Sequence, residues 1–196
     1  MAVGSVGAMT RIISGFAGSL GIAVPPTGTR PTSARVREAI FSALEARDAL
    51  HGARAVDLYA GSGALGLEAA SRGAATVTLV EHSHAATLVC RKNAAIIQSS
   101  APTGSEPTIE VSGSPVHAFL AGSGDTWDVA FLDPPYELGN TELVLALEVL
   151  IPRLADGAIV MLERGSRMPV PAWPDGLRLE RRKAYGDTTL YWLGPA

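Results

Sequence analysis

Cysteine is nearly absent: Cys90 is alone among 196 residues. No intrachain disulfide can form, and a cysteine zinc cluster is excluded. No apolar run approaches the roughly 18 residues that a membrane span needs. The first ten residues carry no basic residue and no compact apolar stretch, so a signal peptide is not expected. Internal repeats are missing as well. An excess of positive charge is also lacking: the formal net charge is −3, which argues against a generic nucleic-acid binder. What is present is apolar: 47% of residues are hydrophobic, enough for a sizeable core and too many for disorder. A cytoplasmic protein of one domain, or one domain and an arm, is the expectation.

The charges are unevenly placed. Met1 to Arg37 holds four arginines (Arg11, Arg30, Arg35, Arg37) and no acid. Glu38 to Leu162 holds 6 basic and 15 acidic residues, and the remainder holds 6 basic and 4 acidic. If the two ends meet in space, they make a local phosphate-binding face on an acidic body.

Residues 1–31 are rich in Gly, Ser and Pro and read as an arm with a short hairpin, residues 1–8 being an extension ahead of Met9. Thr32 or Ser33 caps a helix over 34–47, whose face Val36, Ala39, Ile40, Ala43 and Leu44 recurs at helical spacing. β-branched apolar runs follow at 55–60, 76–81, 108–112, 128–133 and 157–163, with helix-like stretches at 64–72, 83–98, 114–121 and 141–152. Such alternation predicts an α/β protein with a parallel sheet and helices on both faces. The runs 177–185 and 189–193 flank Gly186-Asp187 and read as an antiparallel hairpin.

Two stretches carry chemistry. AVDLYAGSGALGLEAASRGA (55–74) leads from a strand through Gly61, Gly63 and Gly66 into a helix, and Glu81 lies 20 residues after Gly61. That spacing fits a dinucleotide fingerprint. Asp57, just ahead of the loop, argues otherwise. A carboxylate there attracts the ammonium and sulfonium of S-adenosylmethionine and gains nothing from a pyrophosphate. Glu81, at the end of the second strand, can accept both hydroxyls of a ribose. The second stretch is DVAFLDPPYELG. Pro134 and Pro135 stiffen the turn and free its carbonyls. Asp133 and the Pro134 carbonyl can hold the two hydrogens of an exocyclic amine, and Tyr136 offers a ring for stacking on a base. Hydrogen bonds that favour a pyramidal nitrogen localise its lone pair towards the methyl group, so positioning supplies much of the rate.

Five parallel strands and a closing hairpin resemble the Rossmann-like seven-stranded sheet of S-adenosylmethionine-dependent methyltransferases. The motifs TRIISG, RPTSARVREAIFSAL, DLYAGSGALGLEAASRGA, DPPY and YGDTTL, spread over Thr10 to Leu193, narrow this further. The chain is similar to the small-subunit ribosomal RNA guanine-N2 methyltransferases named for guanine 966 of 16S rRNA. The resemblance implies an N-terminal arm (1–31) and a methyltransferase domain (32–196). It also implies S-adenosylmethionine bound by Asp57, Tyr59, Ala60, Gly61, Ser62, Gly63, Glu81, His82 and Asp133. Target-amine binding falls to Asp133, Pro134, Pro135 and Tyr136, with no metal. Many members place an acid after the third strand; here Ser114 or a backbone group takes its place. RNA contacts fall to Arg11, Arg30, Arg35 and Arg37, because GFAGSLGIAVP in the first hairpin has no basic residue. The implied partner is 16S rRNA or the 30S subunit, with no DNA or membrane and a monomeric enzyme. Adenine N6 or another RNA remains an alternative target. An NAD-dependent oxidoreductase and a non-catalytic RNA-binding module remain as other classes. His117 reads as a surface residue or one just behind the site rather than a base, Cys90 as a buried thiol, and Asn93 as a local cap or bridge.

Overall fold

The computed structural model describes residues 8–26 and 32–196. A two-stranded hairpin, β1 (Met9–Arg11) and β2 (Gly21–Ala23), precedes helix α1 (Ala34–Glu45). Strands and helices then alternate: β3 (Arg54–Leu58), α2 (Ala64–Ser71), β4 (Thr76–Val80), α3 (His84–Ser99), β5 (Thr108–Ser112), α4 (Val116–Gly122), β6 (Trp127–Leu132) and α5 (Asn140–Leu150). The last strands are β7 (Leu154–Gly165), β8 (Leu177–Tyr185) and β9 (Thr188–Pro195). The sheet runs β5-β4-β3-β6-β7-β9-β8. The first five in that order are parallel, and β9 slots between β7 and β8, antiparallel to both. Gly186, at φ +61, turns the closing hairpin as the Gly-Asp pair predicts.

Strand residues alternate between two cores, because successive side chains leave opposite faces. Ala55, Val77, Leu79, Phe131 and Met161 pack on one face with Ile40, Phe41 and Leu67. Val56, Leu58, Val80, Leu132 and Leu162 pack on the other with Leu120, Leu143 and Leu147. Ser33, not Thr32, caps α1: its hydroxyl accepts from the Val36 N–H at 3.2 Å. The buried stripe of α1 is Val36, Arg37, Ile40, Phe41 and Leu44, so an arginine and a phenylalanine stand where the periodicity predicts two alanines.

The described part of the segment ahead of α1 is built into this body. Ile12, Ala17 and Ile22 join the first core. The N–H groups of Ile13 and Ser14 donate to the buried Glu68 carboxylate of α2 at 2.7 and 2.9 Å. Ser71 accepts from the Ala17 N–H and donates to the Ser14 carbonyl.

Candidate active site

Register assembles the site. Leu58 stands opposite Val80 and Leu132, and Leu132 opposite Leu162. The next residues along, Tyr59, Glu81, Asp133 and Glu163, therefore share one level at the carboxyl edge of the sheet. The strand order reverses between β3 and β6 there, which opens a crevice at the switch point. A cavity of about 1100 Å³ fills it, walled by Asp57, Gly61, Glu81, Asp133 and Tyr136 among others. Small-molecule sites typically occupy about 300–1,000 Å³, so a nucleoside cofactor fits with room for a second ligand.

The loop between β3 and α2 is held from below. Tyr59 and Gly61 have φ of +69 and +57, a conformation that a tyrosine adopts only under constraint. The Gly61 N–H donates to Glu81 Oε2 at 2.9 Å, and the Ser83 N–H to Oε1 at 2.7 Å. Glu81 thus fixes the loop with both oxygens and keeps further lone pairs for a diol. Asn93 donates to the Ser62 carbonyl and exchanges two bonds with Ala23, tying loop to hairpin. A Cβ on Gly66 would lie 2.3 Å from Leu79 Cδ2, so only glycine lets α2 come this close to the sheet. Its N–H donates to Asp57 Oδ2 at 2.9 Å. Asp57 is 1% exposed. Burial pushes its carboxyl up to about 7, against the Gly66 bond and with help from Glu81.

On the other side, the turn after β6 is closed by the Leu138 N–H donating to the Pro135 carbonyl. Arg164 braces the turn, donating to the Leu138 carbonyl and to Asn140 Oδ1. Tyr136, 53% exposed, presents its ring at the cavity wall. Thr32 Oγ1 lies 2.9 Å from both Asp133 Oδ2 and Glu163 Oε2. Burial first, and then their mutual repulsion, hold Asp133 well above the usual carboxylate range; burial does the same to Glu163. Cys90 donates its S–H to the Gly61 carbonyl at 3.1 Å, and burial pushes the thiol up, so it is no nucleophile.

The family described as Conserved hypothetical protein 95 matches residues 10–194. Ribosomal RNA small subunit methyltransferase D of Escherichia coli strain K12 is 36% identical over 178 residues, 90% of this chain and 85% of that protein. The chain belongs to this methyltransferase family. The solved Escherichia coli protein yhhF superposes with a TM-score of 0.79 at 34% identity, covering 96% of this chain and 98% of that one. A solved hypothetical protein of Thermus thermophilus gives 0.77 at 30% identity, covering 93% and 98%.

Most residues that the motifs single out line one cavity: Asp57, Tyr59, Ala60, Gly61, Ser62, Glu81, His82, Asp133, Pro135 and Tyr136. Three expected contacts are absent from its wall. Gly63, at φ +79, starts α2, and a Cβ there would meet Leu79 at 2.9 Å; its role is packing. Pro134 is buried behind the turn. Ser114 is displaced by its neighbours Pro115, Val116 and His117, which do line the cavity. His117 thus faces the site rather than bulk solvent alone.

Among the family's expected RNA contacts, Arg37 is a correction. It is 2% exposed, and its guanidinium donates to Thr10 Oγ1 and to the Arg11 carbonyl, so it fastens the hairpin and cannot meet a phosphate. Arg11 and Arg35 are exposed, while Arg30 lies outside the described residues. Sequence reasoning passed over Thr32 and Glu163. Glu163 had a signal: the apolar run 157–163 ends on an acid as the run 128–133 does.

Proposed function

We propose that the chain transfers a methyl group from S-adenosylmethionine to the exocyclic N2 of a guanine in 16S rRNA, presented by the 30S subunit or a late assembly particle. One observation carries the reading: the glycine loop with its acids and the DPPY turn face each other across a single cavity. The Gly61–Ser62 backbone and Glu81 would hold the nucleoside, with Asp57 towards the cationic end and the Pro115–Val116 wall for the base. When bound, that cofactor supplies an electrophilic methyl group on a sulfonium. Asp133 holds the amine, and Tyr136 stacks on its base. Guanine N2 is the target that the family motifs point to, and rRNA is the substrate that the Escherichia coli relative's name carries. N2 is paired in a duplex, so the guanine must sit in a loop or flip out. Arg11 and Arg35 are exposed for phosphate contact, as are Arg181, Arg182 and Lys183 on the edge strand β8.

The test incubates the protein and labelled S-adenosylmethionine with hypomethylated 30S subunits or with naked 16S rRNA, then separates digested nucleosides. Label in N2-methylguanosine, lost in Asp133→Ala, is the expected result. Label in N6-methyladenosine would keep the chemistry and overturn the guanine assignment. No label in either, with the cofactor still bound, would overturn the substrate.

A further inference from the structure

The Thr32 hydroxyl has one hydrogen and stands at bonding distance from two carboxyl oxygens, Asp133 Oδ2 and Glu163 Oε2, at 2.9 Å each. It can donate to only one. Towards the other it presents lone pairs, which repel an ionised oxygen and bond only to a carboxyl O–H. Three oxygens in this row therefore require one carboxyl proton. Burial says where it sits: Glu163 is 8% exposed, whereas Asp133 is half-buried and opens on the cavity, so the charge belongs on Asp133. Thr188 donates its hydroxyl to Oε1 of Glu163 at 3.3 Å, which leaves Oε2 for the O–H. The chain then runs Glu163 O–H to Thr32 Oγ1 and Thr32 O–H to Asp133 Oδ2. Oδ1 of Asp133 stays available in the cavity wall.

We propose that Glu163 is a positioning residue for methyl transfer: it keeps a proton and, through the Thr32 hydroxyl, fixes Asp133 as the ionised carboxylate that receives the amine. This rests on the reading of Asp133 as the amine-binding acid. When the amine nitrogen forms its bond to the methyl carbon, the carbon–sulfur pair stays on sulfur and the N–H proton passes to Asp133 Oδ1. The carboxyl pair is then neutral and returns one proton to water as product leaves. Burial holds both carboxyls above their usual range, so the pair keeps a proton; Glu163 and Asp57 of β3 press Asp133 upward, and the Thr32 hydroxyl opposes them there. Glu81 and Glu142 also face the cavity, as do the Tyr59 and Tyr136 phenols. Arg164, next along β7, turns its guanidinium to Leu138 and Asn140. Arg35 of α1 is exposed, and Arg37 is bonded to the hairpin.

The test compares four variants of the full chain on hypomethylated 30S subunits with labelled S-adenosylmethionine. Glu163→Gln keeps a donor towards Thr32; Glu163→Leu keeps the bulk and loses it. The Gln variant should turn over at least about tenfold faster than the Leu variant, the value of one hydrogen bond to a charged chain, with KM for the cofactor equal in both. Thr32→Val should move the acid limb of kcat to higher pH, because the Thr32 bond favours the ionised form of Asp133, and Thr32→Ser should bring it back. Infrared difference spectra of Glu163→Gln, taken in an Asp57→Asn background, supply a readout without substrate: a protonated-carboxyl stretch at neutral pH, present with Glu163 and lost in Glu163→Gln. Gln as poor as Leu, no movement of the limb in Thr32→Val, or no such band with Glu163 present would each overturn the proposal. Absence of methyl transfer by the wild type would instead sink the reading beneath it, and the infrared band would still decide the proton.

Discussion

Acids withdrawn from solvent occur at two places, Glu68 on helix α2 and Asp57, Asp133 and Glu163 towards the carboxyl edge of the sheet, and they live under opposite electrostatics. Glu68 is fully buried, yet Arg72 Nε donates to it at 2.7 Å and two backbone N–H groups at 2.7 and 2.9 Å. Arg72 extends the network to Glu38 and Glu45, at 3.0 Å each. Asp57 and Glu163 are also buried and Asp133 is half-buried, but among the described residues no arginine or lysine pairs with them. Their partners are the Gly66 N–H and hydroxyls. In the first, Glu68 is paired with a cation and fastens the N-terminal hairpin to the sheet. The second holds protons, one on Asp57 and one within the Asp133–Glu163 pair. Charge held by a matching cation makes structure, whereas charge held by burial alone makes a group that exchanges a proton near neutral pH.

The largest effect should come from the unpaired cluster. Asp133→Asn keeps an oxygen that accepts a hydrogen bond but loses the carboxylate proposed to take the amine's proton, and should lower kcat by about 100-fold or more with folding intact, as single-turnover methyl transfer would read. Removing the acid of the paired cluster should spare the chemistry and damage the fold. Glu68→Ala leaves the Arg72 Nε–H and two backbone N–H groups without an acceptor, and urea unfolding should show a loss of about 3–5 kcal/mol. If its stability stays near wild type, the network is not what fastens the hairpin.

The contrast also has a pH signature. In the folded state Asp57 keeps its proton to about 7, against 3.8 for an ordinary aspartate. The native state then binds more protons than the unfolded chain across that window. Stability from this group is complete below about 4 and declines as pH rises through about 7. Asp133 and Glu163 slope the same way, so Asp57→Asn should flatten the pH dependence of urea unfolding in part. An unchanged slope would mean that Asp57 is ionised beneath the loop. The smallest effect belongs to an exposed pair. Arg54 and Asp128 meet at 2.8 Å with side chains 45% and 37% exposed. Asp128→Ala should cost no more than about 1 kcal/mol in the same assay.

Sheet, helices and closing hairpin were legible because each has a local signal: β-branched runs, helical periodicity, and Gly-Asp at the turn. The glycine loop and DPPY were legible because their residues are adjacent in the chain. What escaped depends on distant partners. Arg37 looks solvent-bound beside Arg35, yet it falls on the edge of the α1 stripe and finds the Arg11 carbonyl, which periodicity does not reveal. Glu68 sits in a small-residue helix with nothing nearby to mark the N–H groups it receives from Ile13 and Ser14. Thr32 and Ser33 are equivalent as caps until Ser33 takes that role and leaves the Thr32 hydroxyl to the carboxyls.

The span of that hydroxyl bridge bears on synthesis. Thr32 and Glu163 are 131 residues apart, and strand β7 must be seated between β6 and β9 before they meet. A growing chain can complete its glycine loop early, from neighbours in β3, α2 and β4, and still lack the catalytic edge. Contacts of such long range close late. On the proposed reading, a truncated or half-made chain would carry the cofactor loop without the carboxyl pair that takes the proton.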